Sequence, residues 1–532
     1  MEQKRKLYFG DDLKTNLKKG VDILCDAVKT TMGPDGKLVL IQKDGPGHPI
    51  ITKDGVTVAN SIFLEDEIQN LAAKVIKEAA SRTADEAGDG TTTSTVLAQK
   101  IYEEGLKMLS AGYQLDSIKK GIDLSLKTIK STLSKNKKIT KSSEILKHVA
   151  NISANGEKEI ADLIVNAIEV SGIDGNIVVE HAKGFKSDLI TVDGFNMNRG
   201  FLSPYFVTNK DKMSCEFEKP LILLADREFN SIHELMKPLE ISLEASRPIL
   251  IIANELAGDA LQGLVLNKTK GTLRACAIKS PGFGISRHDF LNDLLAIVGG
   301  TLITDSFDMS KFEYEDFGIA KKALINRTNT MLMTDTIKNE NVEKRISIIK
   351  ESLSKHSFEK GEKEILQYRL RQLMGGISIL MVGASTESEL IERFDRVDDA
   401  LHATKAAMQE GVLPGCGIGL LTCQKELEEL KSKTKELGVN AGIEVMIRSI
   451  DAPFRQILKN SSKNEEKILN MLIKDPELSY DVRNNKFGNF FEIGVIDPHK
   501  VVRCAIENAT SAASMLLSVG CCMINAKISQ EL

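Results

Sequence analysis

The stretch Gly88-Asp89-Gly90-Thr91-Thr92-Thr93 carries the strongest chemical signal in the chain. Its glycines let the backbone approach a ligand without a side-chain clash. Threonines that open a helix would turn free N–H groups and the positive end of the helix dipole towards a phosphate. Asp89 offers a hard oxygen ligand for Mg²⁺. The alternative is an Asp-Gly turn followed by a threonine N-cap, and the stretch alone leaves both interpretations open.

Three other glycine-containing stretches are weaker signals. Thr31–Gly36 and Thr52–Gly55 combine Gly, Pro and Asp as ordinary turns do, so each alone predicts a loop. The run Gly415-Cys416-Gly417-Ile418-Gly419 resembles a dinucleotide loop, but no convincing strand precedes it, which disfavours a Rossmann fold. The sequence also lacks the G-x-x-x-x-G-K-[ST] pattern, which disfavours a P-loop NTPase.

Asp399 lies in a segment with helical spacing, Asp398-Asp399-Ala400-Leu401-His402. The apolar residues around it form a packing stripe that leaves Asp399 to one side. An aspartate in that position could orient a water molecule for attack on a γ-phosphate. A solvated acidic helix face is the alternative, and this segment alone favours it.

Apolar residues in the middle of the chain form a second kind of signal. Residues at helical spacing are usually core, but Leu264, Val265 and Leu266 are consecutive and cannot all face one way. Some of them are therefore expected on the surface. Exposed apolar patches mark interaction sites.

Composition limits the possible classes of protein. The 532 residues correspond to about three to five domains. With 70 Lys and Arg against 74 Asp and Glu, the net charge of −4 gives no support for nucleic-acid binding. Trp is absent and aromatic residues make up 5%, so the cores must be aliphatic.

No secretory signal is visible at the N-terminus, and no membrane association is predicted. The longest uncharged stretch, 508–526, is predicted to be a buried helix that includes Cys521 and Cys522. None of the eight cysteines forms a CxxC pair. A reducing, cytoplasmic setting is therefore expected.

The secondary-structure pattern changes twice along the chain. The first 135 residues show mostly helical spacing, and helical character returns from Glu387. Between them, β-like runs at 176–180, 220–225 and 248–253 alternate with helical segments. This order predicts an α/β domain inserted into a helical domain that is built from both chain ends.

These motifs, in this order, resemble the group I chaperonin family, the bacterial GroEL-type chaperonins, over almost the whole chain. The stretches that carry the resemblance are TMGPDG, ITKDGVTVA, AGDGTTTSTVLA, ISANG, RGFLSPYF, KSPGFG, DDALHATKAA and GVIDPHKV. The resemblance implies a multidomain α and α/β chaperonin fold. Its domains would be a mostly helical equatorial ATP-binding domain (1–135 and 410–532), a discontinuous intermediate hinge domain (136–192 and 378–409) and an inserted α/β apical polypeptide-binding domain (193–377).

The resemblance further implies an ATPase that uses ATP, Mg²⁺ and K⁺. Asp399 would orient the attacking water, Asp54 would assist beside the γ-phosphate, and Asp89 would bind Mg²⁺. The implied nucleotide-binding residues are Thr31, Met32, Gly33, Pro34, Lys53, Asp89, Gly90, Thr91, Thr92, Thr93, Gly415, Asp481, Val482, Arg483 and Asp497.

Partners follow from the same resemblance. An apolar apical surface would bind non-native polypeptides first and a small GroES-type co-chaperonin ring afterwards. Its implied residues are Phe201, Tyr205, Phe206, Met236, Leu239, Leu261, Val265 and Leu266. Self-association into fourteen subunits, as two stacked seven-membered rings, is expected.

Several positions depart from the family pattern. Cys416 replaces the middle one of three glycines near the adenine, and Asp481-Val482-Arg483 replaces Asn-Ala-Ala facing the base. A hinge proline is Ile139, an inter-ring acidic position is Asn464, and Gly-Gly-Met repeats are missing at the end of the sequence. These departures predict a divergent paralogue and leave an alternative function open, a holding or scaffold protein with weak ATPase. A metabolic ATP-dependent kinase is disfavoured by the apolar apical residues.

Overall fold

The computed structural model describes residues 5–42, 49–139, 142–171, 176–182, 184–210, 212–282, 285–334, 339–354, 362–374, 376–474 and 478–525. The helices described there are α1 Gly10–Lys29, α2 Gly55–Ser61, α3 Glu67–Ala87, α4 Thr91–Ser110, α5 Leu115–Asn136, α6 Ser143–Ser153, α7 Lys158–Ser171, α8 Met236–Glu244, α9 Gly258–Thr269, α10 Ile285–Val298, α11 Glu340–Ser354, α12 Glu362–Met374, α13 Glu387–Glu410, α14 Ile418–Leu421, α15 Gln424–Lys433, α16 Leu437–Ile447, α17 Ala452–Asn460, α18 Glu465–Lys474 and α19 His499–Leu517. Short 3₁₀ helices lie at Pro204–Phe206, Ile232–Leu235, Met309–Lys311 and Tyr314–Asp316.

The strands described there are β1 Arg5–Phe9, β2 Val39–Ile41, β3 Ile50–Thr52, β4 Asn176–His181, β5 Asp188–Met197, β6 Cys215–Glu218, β7 Leu221–Ala225, β8 Glu228–Phe229, β9 Ile249–Ala253, β10 Glu255–Leu256, β11 Ala275–Lys279, β12 Leu302–Ile303, β13 Gly318–Ile319, β14 Lys322–Ile325, β15 Thr330–Met333, β16 Gly376–Val382, β17 Val412–Pro414, β18 Leu478–Asp481, β19 Lys486–Asn489, β20 Ile496–Pro498 and β21 Cys521–Asn525.

The chain forms two compact units. The first comprises Met1–Asn166, Val179–Asp188 and Met381–Leu532, and the second comprises Ala167–Val178 and Leu189–Leu380. The three-domain boundaries implied by the family resemblance stay a prediction.

The first unit is mainly helical, with a core of aliphatic side chains from α1, α3, α4, α5, α16 and α19. Helix α3 shows why these segments form helices. The side chain of Asp66 accepts hydrogen bonds from the N–H groups of Ile68 and Gln69, which caps the N-terminus. Ile68 and Ile76 then lie on the buried face, and Gly88 ends the helix in a left-handed conformation.

Two expectations about the first unit are wrong. The uncharged stretch 508–526 is not one helix, because α19 ends at Leu517 and the chain continues as β21, which pairs antiparallel with β1. Cys521 and Cys522 therefore point to opposite faces of a strand, where they cannot share one packed helix surface. The glycine run at Gly415 does follow a strand, β17, but that strand pairs antiparallel with β20 and so does not form a parallel βα unit.

Among the described residues, the two larger sheets lie wholly or mainly in the second unit, beside a two-stranded parallel sheet of β8 and β10. One has the order β11-β9-β7-β12, all parallel, with β13 antiparallel to β7. Every residue of β7 and β9 is buried, as expected for central strands covered on both faces. These strands begin one residue after Pro220 and Pro248, consistent with proline having no N–H to donate to a ladder. The other sheet has the order β4-β16-β5-β15-β14-β6.

The first unit is mainly helical, and the second combines helices with the larger sheets. The predicted combination of α and α/β structure is therefore confirmed. Among the residues described above, no helix combines the length and apolarity needed to cross a bilayer. All eight cysteines are free thiols.

Candidate functional site

A cavity of about 640 Å³ in the first unit collects nearly all of the predicted nucleotide-binding and catalytic residues. The predicted residues that line it are Thr31, Met32, Gly33, Pro34, Lys53, Asp54, Asp89, Gly90, Thr91, Thr92, Thr93, Asp399, Asp481, Val482, Arg483 and Asp497. Gly415 is the exception. Its N–H donates to the carbonyl of Val495 at 2.9 Å, and the next residue, Cys416, lines the cavity instead.

The N-terminus of α4 opens onto this cavity without a side-chain cap. Gly90 is the N-cap, with φ of +91°, and Thr91 already lies within the first turn. The interpretation of this stretch as a threonine N-cap is therefore wrong. Uncapped N–H groups at the start of a 20-residue helix form an anion-binding site, and Thr91–Thr93 line the cavity there.

Three aspartates crowd negative charge beside that helix terminus. Burial raises the pKa of Asp89, and the charge of Asp54 raises it further, against a hydrogen bond from the Gly90 N–H. Burial, followed by the charges of Asp89 and Asp54, holds the pKa of Asp399 well above its usual range. Asp54 thus acts electrostatically on both of the other carboxylates.

Asp54 has a second role as the N-cap of α2. Its two carboxylate oxygens accept hydrogen bonds from the N–H groups of Val56 at 3.0 Å and Thr57 at 2.7 Å. The adjacent Gly55 packs against α4 so closely that a Cβ atom there would lie 2.5 Å from the Thr92 hydroxyl oxygen. The predicted turn at Thr52–Gly55 thus ties the start of α2 to the start of α4.

Lys53 contributes a positive charge to the cavity wall. Its ammonium group donates to the carbonyl oxygens of Gly33 at 3.0 Å and Pro34 at 3.5 Å. Burial lowers the pKa of Lys53, and the charges of Arg483 and Arg396 lower it further. An anion bound in the cavity would favour the charged ammonium and so raise the pKa of Lys53 again.

Asp497 and Cys416 meet on another part of the wall. Burial raises the pKa of Asp497 to about 7, against hydrogen bonds from the N–H groups of Gly417 and Cys416. Cys416 has a φ of +62°, a left-handed conformation that glycine adopts far more easily. Burial raises the pKa of its thiol, and the charges of Asp497 and Asp481 add to the effect. The side chain is half-buried in the cavity wall.

The hairpin β18–β19 supplies the residues that depart from the family pattern. Val482 is buried and packs with Phe454 and Ile457. Arg483, the next residue, is exposed and reaches the backbone of Asn155. This contact with Asn155, 328 residues away in the sequence, is visible only in the tertiary structure.

Sequence reasoning missed Asp395 and Arg396, which also line the cavity. Burial raises the pKa of Asp395 to about 7, and the charges of Asp54 and Asp398 add to it. Arg396 forms ion pairs at 2.5 Å with Glu157 and Glu392. Asp395 precedes Asp399 by four residues, so helical spacing could have placed both on one face.

The chemistry of the donors fits a hard divalent cation shared with a phosphate ligand. Within the described ranges, no group of three or more His, Cys, Asp or Glu side chains could hold a metal ion by itself. Mg²⁺ in nucleotide sites typically binds one or two carboxylates and completes its shell with phosphate oxygens and water. Asp89 lines the cavity and has carboxylate oxygens, so it suits that arrangement.

The predicted apolar surface lies in the second unit, where α8, α9 and the two short helices 204–206 and 232–235 pack together. Tyr205, Met236 and Leu266 are strongly exposed, at 67%, 44% and 54%. Leu264 is fully buried and Val265 half-buried, which confirms that the consecutive apolar residues face different ways.

The remaining members of that predicted set are less accessible. Phe201 and Leu261 are half-buried against the core. Phe206 and Leu239 are core residues, 0% and 7% exposed. Both side chains belong to the hydrophobic core of the second unit and so present little surface to a ligand.

Comparisons with known proteins agree with this architecture. The sequence model of the TCP-1/cpn60 chaperonin family matches residues 24–240 and 234–527. A crystal structure of the chaperonin gp146 from bacteriophage EL 2 (Pseudomonas aeruginosa), in the presence of ATP-BeFx, superposes with a TM-score of 0.72 at 23% identity, covering 98% of this chain and 99% of that chain. A second crystal form of gp146 gives a TM-score of 0.63 at 22% identity, with coverage of 98% and 99%. At these identities the likeness concerns the fold.

Proposed function

The chain belongs to the TCP-1/cpn60 chaperonin family, and we propose that it is an ATP-dependent chaperone that binds non-native polypeptides and promotes their folding. The observation that carries the proposal is one cavity that combines the uncapped N-terminus of α4 with Asp54, Asp89 and Asp399. Phosphate binding and water activation need these groups side by side.

The chain's own groups account for phosphate binding. The first-turn N–H groups of Thr91–Thr93 donate to phosphate oxygens, and the helix dipole adds a favourable potential. Lys53 supplies a positive charge from the cavity wall. Asp497 lies where it could accept a hydrogen bond from a ribose hydroxyl, since its carboxylate lines the cavity.

Asp89 would hold Mg²⁺ together with the phosphates, and K⁺ would lie near Lys53 and Thr92. The bound Mg²⁺ supplies neutralisation of the charge that develops on the phosphates. It would also favour the ionised forms of Asp89 and Asp399, because burial raises the pKa values of both, the charge of Asp54 adds to the shift of Asp89, and the charges of Asp89 and Asp54 add to that of Asp399.

Asp399 is the residue proposed to orient and deprotonate the attacking water. Its raised pKa makes it a better proton acceptor than an ordinary aspartate. Asp54 is held in place by its two N-cap hydrogen bonds and assists as a fixed negative charge beside Asp399. Both residues act on the water and not on the nucleotide base.

The exposed residues Tyr205, Met236 and Leu266 support the polypeptide-binding half of the function. An unfolded chain exposes apolar side chains, and burying them against this surface is favourable. We propose that a GroES-type co-chaperonin later covers the same surface and that the subunits form two stacked seven-membered rings. The client would then be released into an enclosed chamber in the cytoplasm.

A holding or scaffold protein with weak ATPase is the second candidate. Cys416 places a side chain inside the cavity, and Arg483 adds a guanidinium there. Both reduce the room for a nucleotide, which favours slow turnover.

Phosphate release by the purified protein separates the two functions. Wild type should hydrolyse ATP, and Asp399→Asn should lower turnover about a hundredfold or more while nucleotide binding persists. Asp398→Asn is the matched control, because it alters the neighbouring carboxylate on the same helix. Refolding of a denatured client should require ATP, with and without the co-chaperonin compared. A folded assembly that binds clients but does not hydrolyse ATP would support the holding protein.

A further inference from the structure

Arg483 connects two segments of the cavity wall that are far apart in the sequence. Its Nη2 atom donates to the backbone oxygen of Asn155 at 3.0 Å and to the side-chain Oδ1 of Asn155 at 3.3 Å. Both residues line the cavity, and Arg483 is also exposed to solvent. The contact therefore lies at the cavity mouth.

The receiving turn, residues 154–157 between α6 and α7, is shaped to accept the guanidinium. Asn155 and Gly156 have φ of +54° and +91°, and the Gly156 N–H donates to the Asn151 carbonyl at 2.7 Å. A Cβ atom on Gly156 would lie 1.9 Å from Nη1 of Arg483. Any side chain at Gly156 would displace the guanidinium.

Side-chain packing and local hydrogen bonds fix the hairpin that carries Arg483. Val482 is 3% exposed and packs in a hydrophobic cluster. Asp481 accepts hydrogen bonds from the N–H of Asn484 at 3.0 Å and from its side-chain Nδ2 at 2.6 Å. The base of Arg483 is thus fixed, so its contact with Asn155 joins two well-defined segments.

We propose that Arg483 is a positioning residue that straps the β18–β19 hairpin to the α6–α7 turn across the cavity mouth and thereby limits how fast nucleotides enter and leave. The inference rests on the proposed function, because it assigns a control of exchange to the same site. Hydrogen bonds from a charged donor are strong enough to change an equilibrium by about tenfold to a hundredfold. The strap must open for each nucleotide to pass, and its two hydrogen bonds are to Asn155, so it acts on Lys53 through charge alone.

Stopped-flow measurement with a fluorescent ADP analogue tests the strap. Arg483→Ala should raise both the association and the dissociation rate constant about tenfold, leaving the affinity within about threefold. Arg483→Lys keeps the charge but loses the guanidinium geometry and should give an intermediate effect. Lys486→Ala, an exposed residue of the same hairpin, should leave both rates unchanged.

Gly156→Ala provides a second, independent disruption. It should speed exchange as Arg483→Ala does, and the double variant should be no faster than either single variant. Gly112→Ala serves as the control for backbone strain, because Gly112 has a φ of +90° in open space.

Three outcomes would contradict the strap. Unchanged exchange rates in Arg483→Ala, with a wild type that binds nucleotide, would overturn the strap alone. Slower association and much weaker binding would mean that Arg483 contacts the nucleotide directly. A folded wild type that binds no nucleotide would overturn the proposed function and the strap with it.

Discussion

Gly88 lies directly against His402, so that a Cβ atom on Gly88 would be 2.2 Å from the Cβ of His402. Gly88 ends α3 and precedes Asp89, while His402 is on α13 less than one turn from Asp399. The close approach of the Gly88 backbone to the His402 side chain places the residue before Asp89 against α13, the helix that carries Asp399. Burial raises the pKa values of both aspartates, and the charge of Asp89 adds to the shift of Asp399.

Gly88→Ala is expected to abolish ATP hydrolysis by forcing α13 away from the Gly88–Thr93 loop. The substitution also carries a left-handed backbone cost of roughly 1–2 kcal/mol. Gly271→Ala carries the same backbone cost, since Gly271 has a φ of +75° against +73° for Gly88, but has no atom within 4 Å of the added methyl. Turnover and thermal unfolding of both variants check this. Equal losses of activity in the two would refute a specific role for the Gly88–His402 contact.

Asp395 is expected to make the unliganded protein less stable as pH rises. Its folded-state pKa is raised to about 7, whereas an aspartate in the unfolded chain titrates at about 4. Between these values the folded state binds more protons, so the free energy of unfolding falls as pH rises and stays reduced above pH 7.

Asp395→Asn should therefore raise the melting temperature at pH 8 and leave it nearly unchanged at pH 4. Thermal unfolding without nucleotide at both pH values measures this. Asp305→Asn is the control, because the Asp305 side chain is 90% exposed. A variant that melts like wild type at pH 8 would show that Asp395 is not strained by its neighbours.

Cys416→Gly is expected to tighten nucleotide binding severalfold. The substitution removes a side chain from the cavity and relieves a left-handed conformation worth roughly 1–2 kcal/mol. Lost packing of the half-buried side chain offsets part of that relief, so stability should change by less than about 1 kcal/mol. Calorimetric titration with a non-hydrolysable ATP analogue measures the affinity. Ser462→Gly, at a φ of +54° outside the cavity lining, should not alter it.

Leu266→Ser is expected to weaken the binding of a permanently unfolded polypeptide by about tenfold, because a partly exposed leucine contributes apolar area to each contact. Fluorescence anisotropy of a labelled client checks this. Ile319→Ser alters a similarly exposed residue of the same unit, 47% against 54%, outside the predicted surface and should bind normally. Loss of binding in both variants would point to general destabilisation.

Much of the fold was accessible from local patterns. Apolar spacing predicted α3 and α4, and the runs at 220–225 and 248–253 predicted two buried strands to within one residue. The pattern failed at 508–526, where apolar residues suited both a helix and a strand. The end of that stretch forms β21 because it pairs with β1, which lies near the other end of the sequence.

For the site, residue types suggested a phosphate loop at Gly88–Thr93 and a water-orienting aspartate at Asp399, but each segment alone left a plain alternative open, a turn in the first and a solvated helix face in the second. The resemblance of motifs joined them into one nucleotide site. Only the tertiary structure decided that Asp395 shares the cavity, that Gly156 seats Arg483, and that Phe206 is buried. These relationships depend on distances between segments remote in sequence, and no local pattern of side chains contains that information.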